Sequence, residues 1–172
     1  MLNFTCYTIG HSNISSDQFI ELLKNYKIDC LVDARSIPYS KYATQFNKEN
    51  INNELIKNHI KYIFMGNLIG AKIDDVEYLI NEKVDFTKLR EKPEFQEGIE
   101  RIVDGIKKDY KIAIMCSEKE PAHCHRYHSI SKELKKSGIS VIHILQDGKT
   151  QDQDEMEEEE RLQERKKPLP LF

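Results

Sequence analysis

No apolar run in this chain approaches the roughly 20 residues that cross a bilayer. Its start, MLNFTCYTIGHS, has neither the charged nor the apolar region of a signal peptide. A cytoplasmic protein with no membrane partner is the expectation. Charge of one sign is not in excess either. Lys and Arg total 26 against 29 Asp and Glu, a formal net charge of −3, which excludes an extended basic face for duplex nucleic acid. Recognition of an anion must therefore be local. Cysteine is scarce: four in 172 residues, irregularly spaced, cannot build a disulfide framework. Each is read separately as a thiol.

What is present is alternation. Short apolar or period-2 runs recur at FTCYTI (4–9), CLVDA (30–34), IKYIFM (60–65), KIAIMC (111–116) and SVIHIL (140–145), which predicts five strands. IAIM is apolar at every position, as in a central strand covered on both faces. Helical patterns lie between them. Ser15 to Gln18 offers a capping box for a helix over about 16–26. Asn47 can cap a second helix carrying Ile51, Leu55 and Ile56, and Ile73 to Asn81 suggests a third. Pro93 suits the first turn of a helix burying Phe95, Ile99, Ile102, Val103 and Ile106. The last core helix starts near Cys124 to Arg126, buries Tyr127, Ile130 and Leu134, and stops at Gly138. The fold class is α/β: a single domain with a mostly parallel sheet of about five strands and helices on both faces.

Composition changes after Gly148, where TQDQDEMEEEERLQERKKPLPLF follows. The expected division is an α/β domain over 1–148 and a charged tail or extra helix over 149–172. Glutamates one turn ahead of lysine or arginine suit a solvated helix stopped by Pro168. The apolar end PLPLF could dock on the body or on a second copy in a homodimer.

Strands of a parallel sheet end at one rim, where ligands bind. Three polar loops fall there. Gly10, His11, Ser12 and Asn13 follow the first strand and lead to a helix N-terminus, a natural anion site. Asp33 to Lys41 follow the second, and Cys116 to Arg126 the fourth. Arg35, Lys119 and Arg126, with Gly10, His11, Ser12, Ser40, Cys124 and His125, are candidates to bind a phosphate, sulfate or carboxylate. Asp33 and Glu118 are candidate acid–base groups, and Cys116 a candidate nucleophile. Bland readings stand beside these: Asp33 and Arg35 as a local ion pair, Cys116 as a small core residue. Tyr39 and Tyr42 could flank a planar base. Cys6 and Cys30 have no polar company and belong to the core.

The stretches YTIGHSN, DARSIPYS, PEFQEGI and CSEKEPAHCHR resemble a bacterial and archaeal family known as domain of unknown function 488, over roughly residues 5–148. The resemblance implies an α/β fold with these motifs forming a site, and implies no particular reaction. Where relatives commonly show a Gly-Gly-Arg type loop after the third strand, this chain has Leu68-Ile69-Gly70-Ala71-Lys72, with Lys72 a substitute for the missing charge. Cys116 ahead of an arginine-bearing helix loosely resembles rhodanese-like sulfurtransferases and cysteine phosphatases, but nine residues separate Cys116 from Arg126, longer than their compact loop.

The leading expectation is an enzyme, a hydrolase or transferase with cysteine or carboxylate chemistry, acting on a phosphorylated or nucleotide-type ligand. The alternatives are a module that binds nucleotides or nucleic-acid ends without turnover, and a site organised by a metal on the Cys/His cluster. Zinc spacing argues against the last, because seven residues separate Cys116 from Cys124. Only Cys124 and His128 share a helical face. No metal and no cofactor are expected.

Overall fold

The structure, a computed structural model, describes residues 4–71, 78–80 and 83–166. All five expected strands are present: β1 (Thr5–Gly10), β2 (Cys30–Asp33), β3 (Lys61–Phe64), then β6 (Ile112–Cys116) and β7 (Ser140–Ile144). A short antiparallel hairpin, β4 (Leu79–Ile80) and β5 (Lys83–Val84), lies apart from them. A sixth strand, β8 (Thr150–Asp152), pairs antiparallel with β7 and closes the sheet in the order β3-β2-β6-β1-β7-β8. The first five strands are mutually parallel.

Period-2 side-chain alternation divides the core in two. Leu31, Ala113 and Met115 face Phe19 and Leu23 of α1 (Ser16–Asn25) and Ile51 and Leu55 of α2 (Lys48–Lys57). Val32 and Ile114 face the other way. They meet Leu89 of α4 (Phe86–Glu91), Phe95 and Ile102 of α5 (Pro93–Lys107), and Leu134 of α6 (Lys132–Lys136). β6 is buried along its whole length, as a strand covered on both faces must be.

Local signals explain most helix starts. Ser15 accepts from the Gln18 backbone N–H, and Pro93 stands in the first turn of α5. Asn47 occupies the cap position of α2, but its Oδ1 accepts from the Ser40 N–H at 2.7 Å instead. It therefore ties down the loop after β2. The helix expected over Ile73 to Asn81 is corrected where the chain is described: Leu79–Ile80 is strand. Residues 72–77 and 81–82 lie outside the described residues. A four-residue turn, α3 (Gly66–Ile69), follows β3.

Beyond Gly148 the chain adds β8 and then α7 (Gln153–Lys166). Gln153 is buried, and its Oε1 accepts from His143 Nε2 at 2.7 Å. Tyr127 donates to Glu160 at 2.9 Å, and Lys135 pairs with Asp154 and Glu157. Pro168 and the apolar end of PLPLF lie outside the described residues. No helix among the described residues is long and apolar enough to cross a membrane.

Candidate functional site

β6 lies between β2 and β1, so the three polar loops are neighbours. Gly10 stands beside Cys116 and Asp33 beside Met115 in the sheet register. Pairing continues past the strand ends: the His11 N–H donates to the Cys116 carbonyl and the Ser12 N–H to that of Ser117, both at 2.9 Å. Gly10 is required by this approach, because a Cβ there would lie 1.8 Å from the Glu118 carbonyl oxygen.

A hollow of about 340 Å³ opens at this rim, lined by Arg35, Ser36, Ile37, Ala71, Cys116, Ser117, Glu118 and His125. Arg35, only 5% exposed, is the cation of its wall. Asp33 accepts from Arg35 Nε at 2.9 Å and from Nη2 at 2.7 Å, the Phe46 carbonyl takes a second Nη2 hydrogen at 2.8 Å, and Nη1 donates to His11 Nε2 at 3.1 Å. Four of five N–H groups are thus engaged among the described residues, leaving one on Nη1. Asp33 also accepts from Tyr62 at 2.7 Å and from the Arg35 backbone N–H at 3.1 Å. A carboxylate this fully engaged holds Arg35 still and is poorly placed to take a substrate proton.

His11 is neutral by geometry. Its Nδ1 lies 2.7 Å from the Ser12 carbonyl oxygen, which only accepts, while Nε2 faces Arg35, which only donates. Burial, and then the Arg35 charge, lower its pKa from 6.5 to about 4. The ring stacks on Phe46 at 4.3 Å between centroids. His11 therefore props Arg35 and adds no positive charge.

Of the two thiols nearby, Cys116 lines the hollow, whereas the buried Cys124 does not. Cys116 Sγ donates to Glu118 Oε2 at 2.9 Å, and Cys124 Sγ to the same oxygen at 3.2 Å. His125 Nδ1 is 3.6 Å from Cys116 Sγ and 3.8 Å from Cys124 Sγ. Its Nε2 is buried with no hydrogen-bond partner among the described residues. The two thiols titrate as a pair. Cys124 is lowered from its ordinary value: burial opposes the thiolate, but hydrogen bonds from Cys116 and His125 and the charges of His125 and Arg126 outweigh it. Cys116 is raised well above its ordinary value, by its hydrogen bond to Cys124 and then by burial. Glu118 is held below the usual carboxylate value although burial opposes this, because the thiols hydrogen-bond to it.

Several expected binding residues are placed elsewhere. Arg126 is fully buried, with Nη1 on the Glu118 carbonyl at 2.7 Å and Nη2 on that of Lys119 at 3.0 Å. It holds the loop in shape and does not line the hollow. Lys119 borders a separate recess with Gln146 and Asp147. Ser12 and the N-terminus of α1 are not in the lining, and Ser40 bonds within its own loop. Tyr39 donates to Glu49 at 2.7 Å, and Tyr42 is 79% exposed. Cys6 and Cys30 are buried in the core, where desolvation raises both thiols. The Cys124–His128 pair, weighed above as two ligands on one helical face, does not form, since His128 Nε2 bonds the Ala122 carbonyl at 2.6 Å. His125 takes its place: donor atoms of Cys116, Cys124 and His125 all lie within 4.8 Å of one another. Tyr62 and Phe46, which complete the Arg35 clamp, are additions the sequence did not flag.

The segment after Cys124 is a π-helical turn over Arg126–Ser131. Ser131 Oγ donates to the Arg126 carbonyl at 2.7 Å and Ser129 Oγ to that of His125 at 2.6 Å. Such widened turns gather at functional sites.

Among known proteins, a family model described as domain of unknown function DUF488 matches residues 15–132. The matched span takes in the whole lining of the hollow and leaves β1 outside. No curated protein and no solved structure matches.

Proposed function

This chain belongs to the DUF488 family, and from that premise we propose that it is an enzyme that takes a small phosphorylated substrate into the rim hollow. Arg35 anchors one anionic group there, and hydrolysis or group transfer occurs against the wall of Cys116, Glu118 and His125. The observation that carries this reading is the Arg35 clamp. A guanidinium held by four hydrogen bonds, yet lining a hollow together with one thiol, an imidazole and a carboxylate, is a preorganised binding group beside reactive ones. The volume of about 340 Å³ suits a compact ligand. Among the described residues Arg35 is the one Lys or Arg in the lining, which suits one anionic group better than a polyphosphate or a nucleic-acid backbone; Lys72 lies outside the described residues.

The test is calorimetric binding of a panel of phosphorylated small molecules and mononucleotides, followed by product analysis. At least one ligand binds the wild type, and Arg35→Lys weakens it about tenfold or more, since lysine cannot reproduce the fork. Lys119→Ala leaves affinity unchanged. Glu118→Gln keeps binding and loses turnover. Equal binding of every ligand by wild type and Arg35→Lys overturns the proposal.

A further inference from the structure

The thiol cluster has the donor types and the spacing of a metal centre. Zinc lies about 2.3 Å from sulfur and about 2.0 Å from nitrogen, so a tetrahedral site sets sulfur and nitrogen about 3.5 Å apart. His125 Nδ1 stands 3.6 Å and 3.8 Å from the two sulfurs. Glu118 Oε2 faces both sulfurs at 2.9 and 3.2 Å. That is somewhat closer than the roughly 3.5 Å of a tetrahedral sulfur–oxygen edge, because thiol protons now lie between them. Glu118 lies outside the set of donor atoms within 4.8 Å of one another, which is Cys116, Cys124 and His125, so it holds the sulfurs from beside the site.

We infer that Cys116, Cys124 and His125 bind one divalent cation of the zinc class, with the fourth corner left to a ligand from the hollow. Two thiolates and an imidazole select zinc over magnesium, calcium and manganese, which prefer all-oxygen surroundings. The charges balance. The two thiolates neutralise the dication, any remaining thiol proton being released as it enters, so the cluster keeps only the charge of the Glu118 carboxylate. Arg126, fully buried next to this cluster, offsets that charge, and its backbone N–H points to Cys124 Sγ at 3.4 Å. Such outer bonds orient a ligand sulfur. The seven residues between the cysteines are no obstacle, since the turn over Pro121–His123 folds the loop back on itself.

Cys116, Glu118 and His125 also line the hollow that Arg35 faces. The inference therefore deepens the proposed function and rests on it for what the ion does: polarise the bound anionic group. Binding of the ion itself is independent of that reading.

The experiment measures metal in the full chain by mass spectrometry and then zinc affinity by competition with a chromogenic chelator. Cobalt loading of metal-stripped protein follows. Expected are about one zinc per chain, a sulfur-to-cobalt charge-transfer band that falls in Cys116→Ser and in Cys124→Ser, and zinc affinity at least about tenfold weaker in His125→Ala. Cys30→Ser and Arg35→Lys bind zinc as the wild type does. Folded wild type that binds neither zinc nor cobalt overturns the inference without recourse to any variant, as does a cobalt spectrum lacking sulfur ligation. Phosphorylated ligands that bind through Arg35 in a wild type that takes up neither zinc nor cobalt overturn this inference alone. Zinc binding without any phosphorylated ligand overturns the proposed function alone.

Discussion

Arg35 shows how one side chain's surroundings decide its use. Its ion pair with Asp33 is almost wholly withdrawn from water, so removing one partner leaves the other uncompensated. Asp33→Asn is expected to cost on the order of 3 to 5 kcal/mol in urea unfolding, and Tyr62→Phe about 1 kcal/mol. Two histidines set the response to acid. His11 and His143 are both buried and neutral, each depressed from 6.5 to about 4, first by burial. A base with a lowered folded pKa binds its proton more readily in the unfolded chain. Stability is thus full above pH 6.5 and falls as pH drops from there through 4. Each site contributes on the order of 3 kcal/mol across that window. Urea midpoints at successive pH values should decline over this range, less steeply in His143→Gln. Gly10→Ala puts a methyl group into the Glu118 carbonyl, with an expected loss of about 2 to 3 kcal/mol by the same measurement.

Among elements, legibility followed apolar periodicity. β1, β2, β3, β6 and β7 announce themselves through alternation or through an unbroken apolar run such as Ile112 to Met115. β8 does not, since Thr150, Gln151 and Asp152 are polar and the strand is defined by backbone pairing with β7. The clamp was half legible. Asp33 and Arg35 can be paired from their spacing, but Phe46 contributes a backbone carbonyl, which no side-chain pattern reveals. Arg126 could be placed near the rim, yet nothing in its spacing showed that its guanidinium turns inward. A chain ended after Gly148 would lose β8, α7 and the Gln153 partner of His143. Its bared β7 edge should promote self-association, visible as larger species by size-exclusion chromatography.

For the molecule as a whole, β6 contributes Ile112 and Ile114 to one core and Ala113 and Met115 to the other. Neither face can loosen without disturbing the same strand. Thermal unfolding of the described body is expected to be a single transition, with calorimetric and van't Hoff enthalpies equal. The strand order carries a consequence for synthesis. β1 and β2 are not hydrogen-bonded to each other, and the strand that joins them comes some eighty residues after β2. A ribosome-bound chain that has not yet released residue 116 holds Arg35 but no thiol cluster. The ligand capture proposed above is therefore barred during most of translation and begins only as the second half of the chain closes the gap.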